Sequence, residues 1–151
     1  MPRYTTNLTL PYAADDLFDL VADIKRYPEF IRWIRSLTVS GEREAAGIRH
    51  ALGDARVGFK GFSERFATAV RADPAARTVE TSLVRGPFRT LENRWTFVPQ
   101  ESGATRVDFE IDYAFSNPIL AMLARANFNL AVDRIIAAFT AEAERRYDRA
   151  G

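Results

Sequence analysis

The sequence predicts an α+β fold in which a curved, seven-stranded antiparallel sheet wraps around one long C-terminal helix. Six consecutive segments between residues 33 and 115 alternate apolar and polar side chains, and connections of hairpin length separate them. One more alternating segment precedes them, and about 30 residues with helical periodicity follow them. Because 151 residues suit one domain, we expect a single domain over residues 1–151.

A change of period separates the first strand from the first helix. Tyr4, Thr6, Leu8 and Leu10 alternate with polar residues, and Pro11 ends the strand because it has no N–H to donate. The apolar residues that follow have helical spacing instead.

Pro28 is expected to end this first helix. A proline also disfavours the α region for the residue before it, which is Tyr27. Residues 27–30 should therefore turn the chain into a second short helix or a loop.

The central strands are expected to form an antiparallel meander, with strand one pairing at an edge. Their predicted bounds are Trp33–Arg43, Ile48–Val57, Phe59–Arg71, Thr78–Arg85, Phe88–Val98 and Thr105–Phe115. The predicted turns are Gly41 to Gly47, Gly58, Asp73-Pro74, Gly86-Pro87 and Gln100 to Gly103. The last strand alternates most regularly, which predicts one covered and one wet face.

The C-terminal helix has a clear start signal. Asn117 is a favoured N-cap residue, and Pro118 stands at the first helical position, where its missing N–H costs nothing. About 30 residues with a rise of roughly 1.5 Å each give about 45 Å, enough to cross a whole sheet. The order β-α-α-β₆-α, with a terminal helix over a curved sheet, is the helix-grip arrangement.

Composition excludes several classes of protein. Lysine and arginine total 21 against 20 for aspartate and glutamate, so no strong global field attracts DNA or an anionic membrane. The absence of cysteine removes disulfides, thiol nucleophiles and thiolate metal sites, and it agrees with a reducing compartment. The N-terminus lacks the apolar core of a signal peptide. We expect a cytoplasmic protein that can contact the inner face of the membrane peripherally.

Residues for catalysis or metal binding are sparse. The only histidine, His50, is expected to be a partly exposed strand residue rather than a general base. Asp108, Glu110 and Asp112 are spaced by two, which places them on the solvated face of the last strand. The sequence therefore predicts no catalytic residue, no metal site and no covalent cofactor, and a protein that is not an enzyme.

Apolar and aromatic residues are concentrated on the predicted concave face of the sheet and on the facing side of the helix. Core packing and a ligand cavity both explain this pattern, because a curved sheet held by one helix tends to leave a void. Asn93 lies among these residues and needs a hydrogen-bond partner or a ligand. The candidate ligand-binding residues are Phe59, Leu83, Phe88, Leu91, Asn93, Trp95, Phe97, Phe109, Ile111, Tyr113, Phe128, Val132, Ile135 and Phe139.

Two segments have the composition of a membrane-facing mouth. Residues 30–35 interleave apolar and aromatic side chains with arginines, and residues 118–124 carry no charge. The start of a strand and the buried end of a core helix are the alternative interpretations. The candidate mouth residues are Tyr27, Pro28, Phe30, Trp33, Ile119 and Leu120.

Three motifs resemble a known family. Residues 23–30, DIKRYPEF, are similar to a D-x-x-x-Y-P-x-F signature, and residues 86–97, GPFRTLENRWTF, to a G-P-F-x-x-L-x-N-x-W-x-F run. Between them, residues 57–62, VGFKGF, resemble a central strand of the same family. The chain resembles the coenzyme-Q-binding protein family of the START-like and polyketide cyclase superfamily, which also includes the ribosome-association toxins. After Phe139 it departs from the family's usual Arg-Ala pair.

This resemblance implies a helix-grip fold, a hydrophobic tunnel and binding of ubiquinone or a precursor. The leading hypothesis is a carrier or chaperone for a polyprenyl quinone that supports respiration, with the quinone as ligand. A second hypothesis is a toxin-like protein whose partner is the large ribosomal subunit. A third is a polyketide cyclase or aromatase, against which the lack of a placed acid-base pair argues.

Overall fold

The computed structural model describes residues 3–59 and 62–147. Its strands are β1 (Arg3–Leu10), β2 (Ile34–Ala45), β3 (Ile48–Phe59), β4 (Phe62–Asp73), β5 (Thr78–Arg85), β6 (Phe88–Pro99) and β7 (Thr105–Phe115). Its helices are α1 (Ala14–Ala22), α2 (Tyr27–Phe30) and α3 (Pro118–Tyr147), and a single 3-10 turn, Ile24–Arg26, joins α1 to α2.

All seven strands form one antiparallel sheet in the order β1-β7-β6-β5-β4-β3-β2. The predicted meander and the edge position of strand one are both confirmed. Register shifts place extra residues in β2, β5 and β6, and such bulges bend a strand and increase its twist. The sheet is therefore curved, and the α+β helix-grip architecture predicted from the sequence is confirmed.

One predicted turn lies elsewhere, and another is confined to the end of its predicted range. Gly58 is part of β3, where it pairs with Ser63 of β4, and the pairing of these two strands continues to Phe59 and Phe62. Gly41 has a φ of +62°, but it lies at a bulge within β2, and the reversal comes later, at Ala46 and Gly47. A glycine with positive φ suits a bulge as well as a turn, so the residue type alone did not distinguish them.

The prediction that Pro28 ends the first helix is wrong, as is the backbone region predicted for Tyr27. Helix α1 ends at Ala22, and Pro28 lies in the first turn of α2. Tyr27 is α-helical, with φ −53° and ψ −44°. The missing N–H of Pro28 costs nothing in a first turn, and the Tyr27 hydroxyl donates a hydrogen bond to the carbonyl of Val21. This local bond and the packing around Tyr27 outweigh the usual preference of a residue before proline.

The start of α3 is as predicted. The backbone N–H of Ile119 donates to Oδ1 of Asn117 over 2.8 Å, and Pro118 is the first helical residue. Ser116, just before this cap, donates from its backbone N–H to the carbonyl of Pro87 over 3.0 Å. The N-terminus of α3 is thereby fixed beside the β5–β6 turn.

The main core lies where α1 and the C-terminal half of α3 cover the sheet. Leu17 and Leu20 of α1 and Val107 of β7 are each 2% exposed, and Phe18 meets Phe97 edge-on with ring centroids 6.3 Å apart. Ala143 of α3 is fully buried in the same cluster. The other end of the concave face receives no cover from α1.

Candidate ligand-binding cavity

A cavity of about 360 Å³ lies between the concave face of the sheet, α2 and α3. Its volume falls in the range of small-molecule sites, roughly 300–1,000 Å³. The described residues that line it are Ile24, Tyr27, Ile31, Trp33, Ile34, Leu37, Gly53, Ala55, Val57, Glu64, Phe66, Thr68, Val70, Val79, Thr81, Pro87, Phe88, Leu91, Asn93, Trp95, Phe109, Ile111, Phe115, Ala131, Ile135 and Phe139. Most of this wall is apolar, so the cavity suits a hydrophobic ligand.

Aromatic rings close the cavity on the side of the main core. The ring of Trp95 lies 4.9 Å from that of Phe109 and 4.9 Å from that of Phe139, both in tilted or edge-on contact. Tyr27 meets Phe139 edge-on at 5.2 Å, and Phe30 does so at 5.3 Å. Edge-on pairs add to the stabilisation that burial gives. We call the group Tyr27, Trp95, Phe109 and Phe139 the closed end of the cavity.

The opposite end is less covered. Phe88 stacks on Phe115 with centroids 4.6 Å apart, and Phe66 meets Phe88 edge-on at 5.8 Å, yet all three rings are only half-buried. Trp33 and Glu64 are half-buried at the same end of the sheet. We call these five residues the mouth of the cavity.

Gly86 fixes the position of Phe66 at this mouth. Its φ is +154°, a backbone conformation that residues with a Cβ rarely adopt. A Cβ at Gly86 would also lie 2.5 Å from the Cβ of Phe66, far inside van der Waals contact. The β5–β6 turn can therefore pack against Phe66 only because residue 86 is glycine.

Polar side chains are few on the cavity wall. The Tyr27 hydroxyl is satisfied by the Val21 carbonyl, and burial raises its pKa above the ordinary tyrosine value. Asn93 donates from Nδ2 to the carbonyl of Glu110 over 2.9 Å, which is the partner that the sequence required. Among the described residues of the wall, Tyr27 and Glu64 are the only ionisable groups.

The structure brings many of the predicted ligand-binding residues together. Those that line the cavity are Phe88, Leu91, Asn93, Trp95, Phe109, Ile111, Ile135 and Phe139, together with Tyr27 and Trp33 from the predicted mouth. The side chains of Phe59, Leu120 and Phe128 lie outside the described residues. Contact of the lining residues with a ligand stays a prediction.

Four predicted lining residues lie elsewhere. Phe97 of β6 is 2% exposed in the main core, where α1 covers the sheet, and Val132 of α3 is 1% exposed in the same cluster. Leu83 follows the alternation of β5 but sits near Gly86, off the cavity wall. Tyr113 packs edge-on against Phe115 at 5.9 Å, beyond the wall.

The predicted mouth needs correction as well. Tyr27 belongs to the closed end, and neighbouring Phe30 packs on Phe139 there and receives the guanidinium of Arg146 over its ring at 5.8 Å. Pro28 is not on the cavity wall. Ile119 is 67% exposed at the start of α3, so it lies on the surface near the mouth rather than on the wall.

The lining residues of β2, β3, β4 and β5 were not among the predicted ones. Phe66, Thr68 and Val70 alternate along β4, and Val79 and Thr81 along β5, so period-two spacing could have identified this face. Threonine, alanine and glycine occur on either face of a sheet, which weakened the signal.

The outer face of the sheet is charged and ion-paired. Arg3 binds Glu110 over 2.8 Å and approaches Asp112 at 3.7 Å, and Arg106 binds Asp108 over 3.0 Å. These pairs confirm the solvated-face interpretation of the three acids. His50 is half-buried in β3, as predicted.

Residues 3–59 and 62–147 contain neither a cluster of metal ligands nor a membrane-spanning helix. No three histidine or acidic side chains come together there in a metal-binding arrangement. None of the helices in these ranges is long and apolar enough to span a membrane.

Comparisons with known proteins agree with this architecture. The ribosome association toxin RatA of Pseudomonas aeruginosa is 33% identical over 138 residues, covering 91% of this chain and 92% of the toxin. The mitochondrial coenzyme Q-binding protein coq10 of Schizosaccharomyces pombe is 28% identical over 142 residues, covering 93% of this chain and 86% of coq10.

A solved structure is also similar. The solution structure of an 18 kDa protein from Caulobacter crescentus superposes with a TM-score of 0.82 at 38% identity, covering 99% of this chain and all of that one. Residues 10–140 match the model of a family described as polyketide cyclase / dehydrase and lipid transport. The helix-grip sheet, the apolar cavity and this match across most of the chain together show that the protein belongs to that polyketide cyclase and lipid transport family.

Proposed function

We propose that the cavity binds a polyprenyl quinone, ubiquinone or a precursor, and that the protein acts as a carrier or chaperone that supports respiratory electron transport. The observation that carries this proposal is the apolar cavity, closed by aromatic rings at one end and less covered at the other. The similarity to coq10, whose name states that it binds coenzyme Q, supports the choice of ligand.

The cavity can supply enough affinity without a specific polar contact. Burying about 300 Å² of isoprenoid at roughly 25 cal/mol per Å² gives about 7 kcal/mol before the costs of association. Aromatic side chains at the closed end would pack on a ring or an isoprene unit. Micromolar binding needs no more than this.

The ligand is proposed to be carried rather than transformed. General acid–base catalysis needs a positioned donor and acceptor near the reacting bond. The hydroxyl of Tyr27 is engaged by Val21, and burial raises its pKa, which leaves Glu64 as the other ionisable group of the described wall. A cyclase activity, which the family description includes, would require shape alone to direct the reaction.

Delivery of such a ligand requires contact with a membrane surface. Ile119 and Met122 are 67% and 68% exposed on the first turns of α3, beside the mouth. Arg32 and Arg89 are exposed near the same end. Apolar side chains next to arginines suit an interface with anionic lipid, so we propose peripheral membrane contact through this end.

The test is mass spectrometry of an organic extract from protein purified out of its native host without detergent. An unrelated protein purified in parallel is the control. Stoichiometric ubiquinone or a precursor in the extract is the expected result. Extracts that repeatedly contain no more quinone than the control would reject the carrier function.

Ribosome binding is the second candidate function. The 33% identity with a protein named as a ribosome association toxin favours it. Arg32, Arg35, Arg56 and Arg89 are exposed at the mouth end of the sheet and make no ion pair with any described residue. This candidate predicts co-sedimentation with large ribosomal subunits that weakens steeply between 50 and 200 mM salt, about the range over which phosphate contacts are lost.

A further inference from the structure

Three polar side chains interrupt the apolar wall of the cavity on neighbouring strands. Thr81 of β5 lies directly opposite Asn93 of β6, and Thr68 of β4 is two residues from Val70, which lies opposite Thr81. Directly opposite residues have Cβ atoms about 5 Å apart, and diagonal neighbours about 7 Å. We call Thr68, Thr81 and Asn93 the polar patch.

The patch retains unused hydrogen-bonding groups. Within the described part of the chain, neither threonine hydroxyl has a hydrogen-bond partner, and the only bond of the Asn93 side chain runs from Nδ2 to the Glu110 carbonyl. None of these free oxygens is among the fully enclosed, unpaired atoms of the described residues, which belong to Thr90 and Arg146. They are therefore accessible from the cavity.

The orientation of the Asn93 amide follows from its partner. The Glu110 carbonyl can only accept a hydrogen bond, so the NH₂ group of Asn93 must face it. The Oδ1 atom of Asn93 is then the free end, and it can only accept. The two threonine hydroxyls can either donate or accept.

Gly53 keeps the space beside Thr68 open. A Cβ at this position would lie 3.3 Å from Cδ1 of Leu37, 3.4 Å from Cδ1 of Ile24 and 3.6 Å from Oγ1 of Thr68. A side chain here would therefore press on Leu37 and occupy the space next to this hydroxyl. The patch thus lies in a part of the wall that small residues leave accessible.

We propose that the polar patch recognises a hydroxylated ring, so that the cavity prefers the reduced quinol, or a phenolic precursor, over the oxidised quinone. This inference rests on the proposed function, since it assumes a prenylated ring as ligand. The carbonyls of an oxidised quinone accept hydrogen bonds from the threonines but offer nothing to Oδ1 of Asn93. A ring hydroxyl donates to Oδ1 and also accepts from the threonines, so it matches both the acceptor and the donors of the patch.

Calorimetric titration under argon tests the preference. The probes are ubiquinone with two isoprene units and the same molecule reduced to the quinol. Wild-type protein should bind the quinol about five- to tenfold more tightly, the effect of one net buried hydrogen bond. Asn93→Leu, which keeps the size but removes the acceptor, should reduce this ratio to about one.

A second variant should act in the opposite direction. In Thr68→Val/Thr81→Val the quinone loses both of its donors, whereas the quinol keeps its bond to Asn93. The ratio should therefore widen, chiefly through weaker quinone binding. Thr38→Val, on an exposed position of β2, is the matched control and should change neither affinity. Urea unfolding of each variant verifies that it folds.

The possible results distinguish a failure of the quinol preference from a failure of the carrier function. Equal affinity of wild-type protein for both probes would overturn the preference and leave the carrier function standing. If Asn93→Leu keeps the wild-type ratio of quinol to quinone affinity, Asn93 is not the cause of the preference. If the wild-type protein binds neither probe, the carrier function itself is overturned. If Asn93→Leu does not fold, the affinity ratios of the wild type and of Thr68→Val/Thr81→Val test the preference instead.

Discussion

The two ends of the concave sheet surface are filled in different ways. Beneath α1, Phe97 and Val107 are each 2% exposed and the space between sheet and helices is closed. Beyond the reach of α1, Phe88 and Phe115 remain half-buried around a cavity of about 360 Å³. The same strands and the same face thus supply both a packed core and a hollow. The covering helices, rather than the sheet, determine which of the two forms.

Phe97→Ala should produce the largest effect on stability. The ring lies in the closed core against Phe18, so its removal creates a new cavity there and should cost about 3–5 kcal/mol of unfolding free energy. Quinone affinity of the remaining folded protein should be unchanged, because Phe97 does not line the ligand cavity. Urea unfolding and calorimetric titration measure the two quantities. A large loss of affinity would mean that the core and the cavity are not separate.

Trp95→Ala is the counterpart two residues away on the same face. Trp95 borders the existing cavity, so its removal enlarges a space that is already there and should cost less stability than Phe97→Ala. Quinone binding should weaken about 10- to 100-fold, since Trp95 supplies much of the closed end. Val84→Ala, at an exposed position, is the control for both variants. Equal effects of Trp95→Ala and Phe97→Ala on affinity and stability would show that Trp95 is ordinary core.

This pair also shows how far the sequence predicts the site. Alternation placed Trp95 and Phe97 correctly on the concave face, and the strict patterns of β5 and β7 gave their bounds without error. Alternation carries no information on where a helix will cover that face, so Phe97 was assigned to the cavity. Thr68 and Thr81 were missed because threonine suits both faces of a strand.

An ion-pair cluster within the last turns of α3 joins Glu142 to Arg145 and Arg146, and it predicts how stability depends on acid pH. Hydrogen bonds from Arg145 lower the pKa of the buried Glu142 carboxyl from 4.5 to about 2, with further help from Arg146. A lowered folded-state pKa stabilises the fold above the unfolded value, and this contribution is lost as the pH falls from about 5 towards 2. Glu142→Gln should therefore lose on the order of 2 kcal/mol at pH 7 and show a flatter decline on acidification.

Urea unfolding at pH 7, 4 and 3 measures this dependence. Glu144→Gln is the control, because Glu144 is exposed on the same helix turn and should change stability by less than about 0.5 kcal/mol. Parallel acid profiles of wild type and Glu142→Gln would mean that other carboxyl groups govern the acid transition.

The smallest expected effect concerns the surface beside the mouth. Ile119→Asp and Met122→Asp place charge on side chains that are 67% and 68% exposed, so stability should change little. If these side chains enter the lipid interface, each substitution should weaken binding to phosphatidylglycerol-containing vesicles several-fold. Vesicle co-sedimentation measures this, and Leu130→Asp is the matched control, since Leu130 is also exposed on α3 but further from the mouth. If Leu130→Asp loses as much vesicle binding, the added negative charge alone explains the effect. If no variant loses vesicle binding, the start of α3 is not the membrane contact.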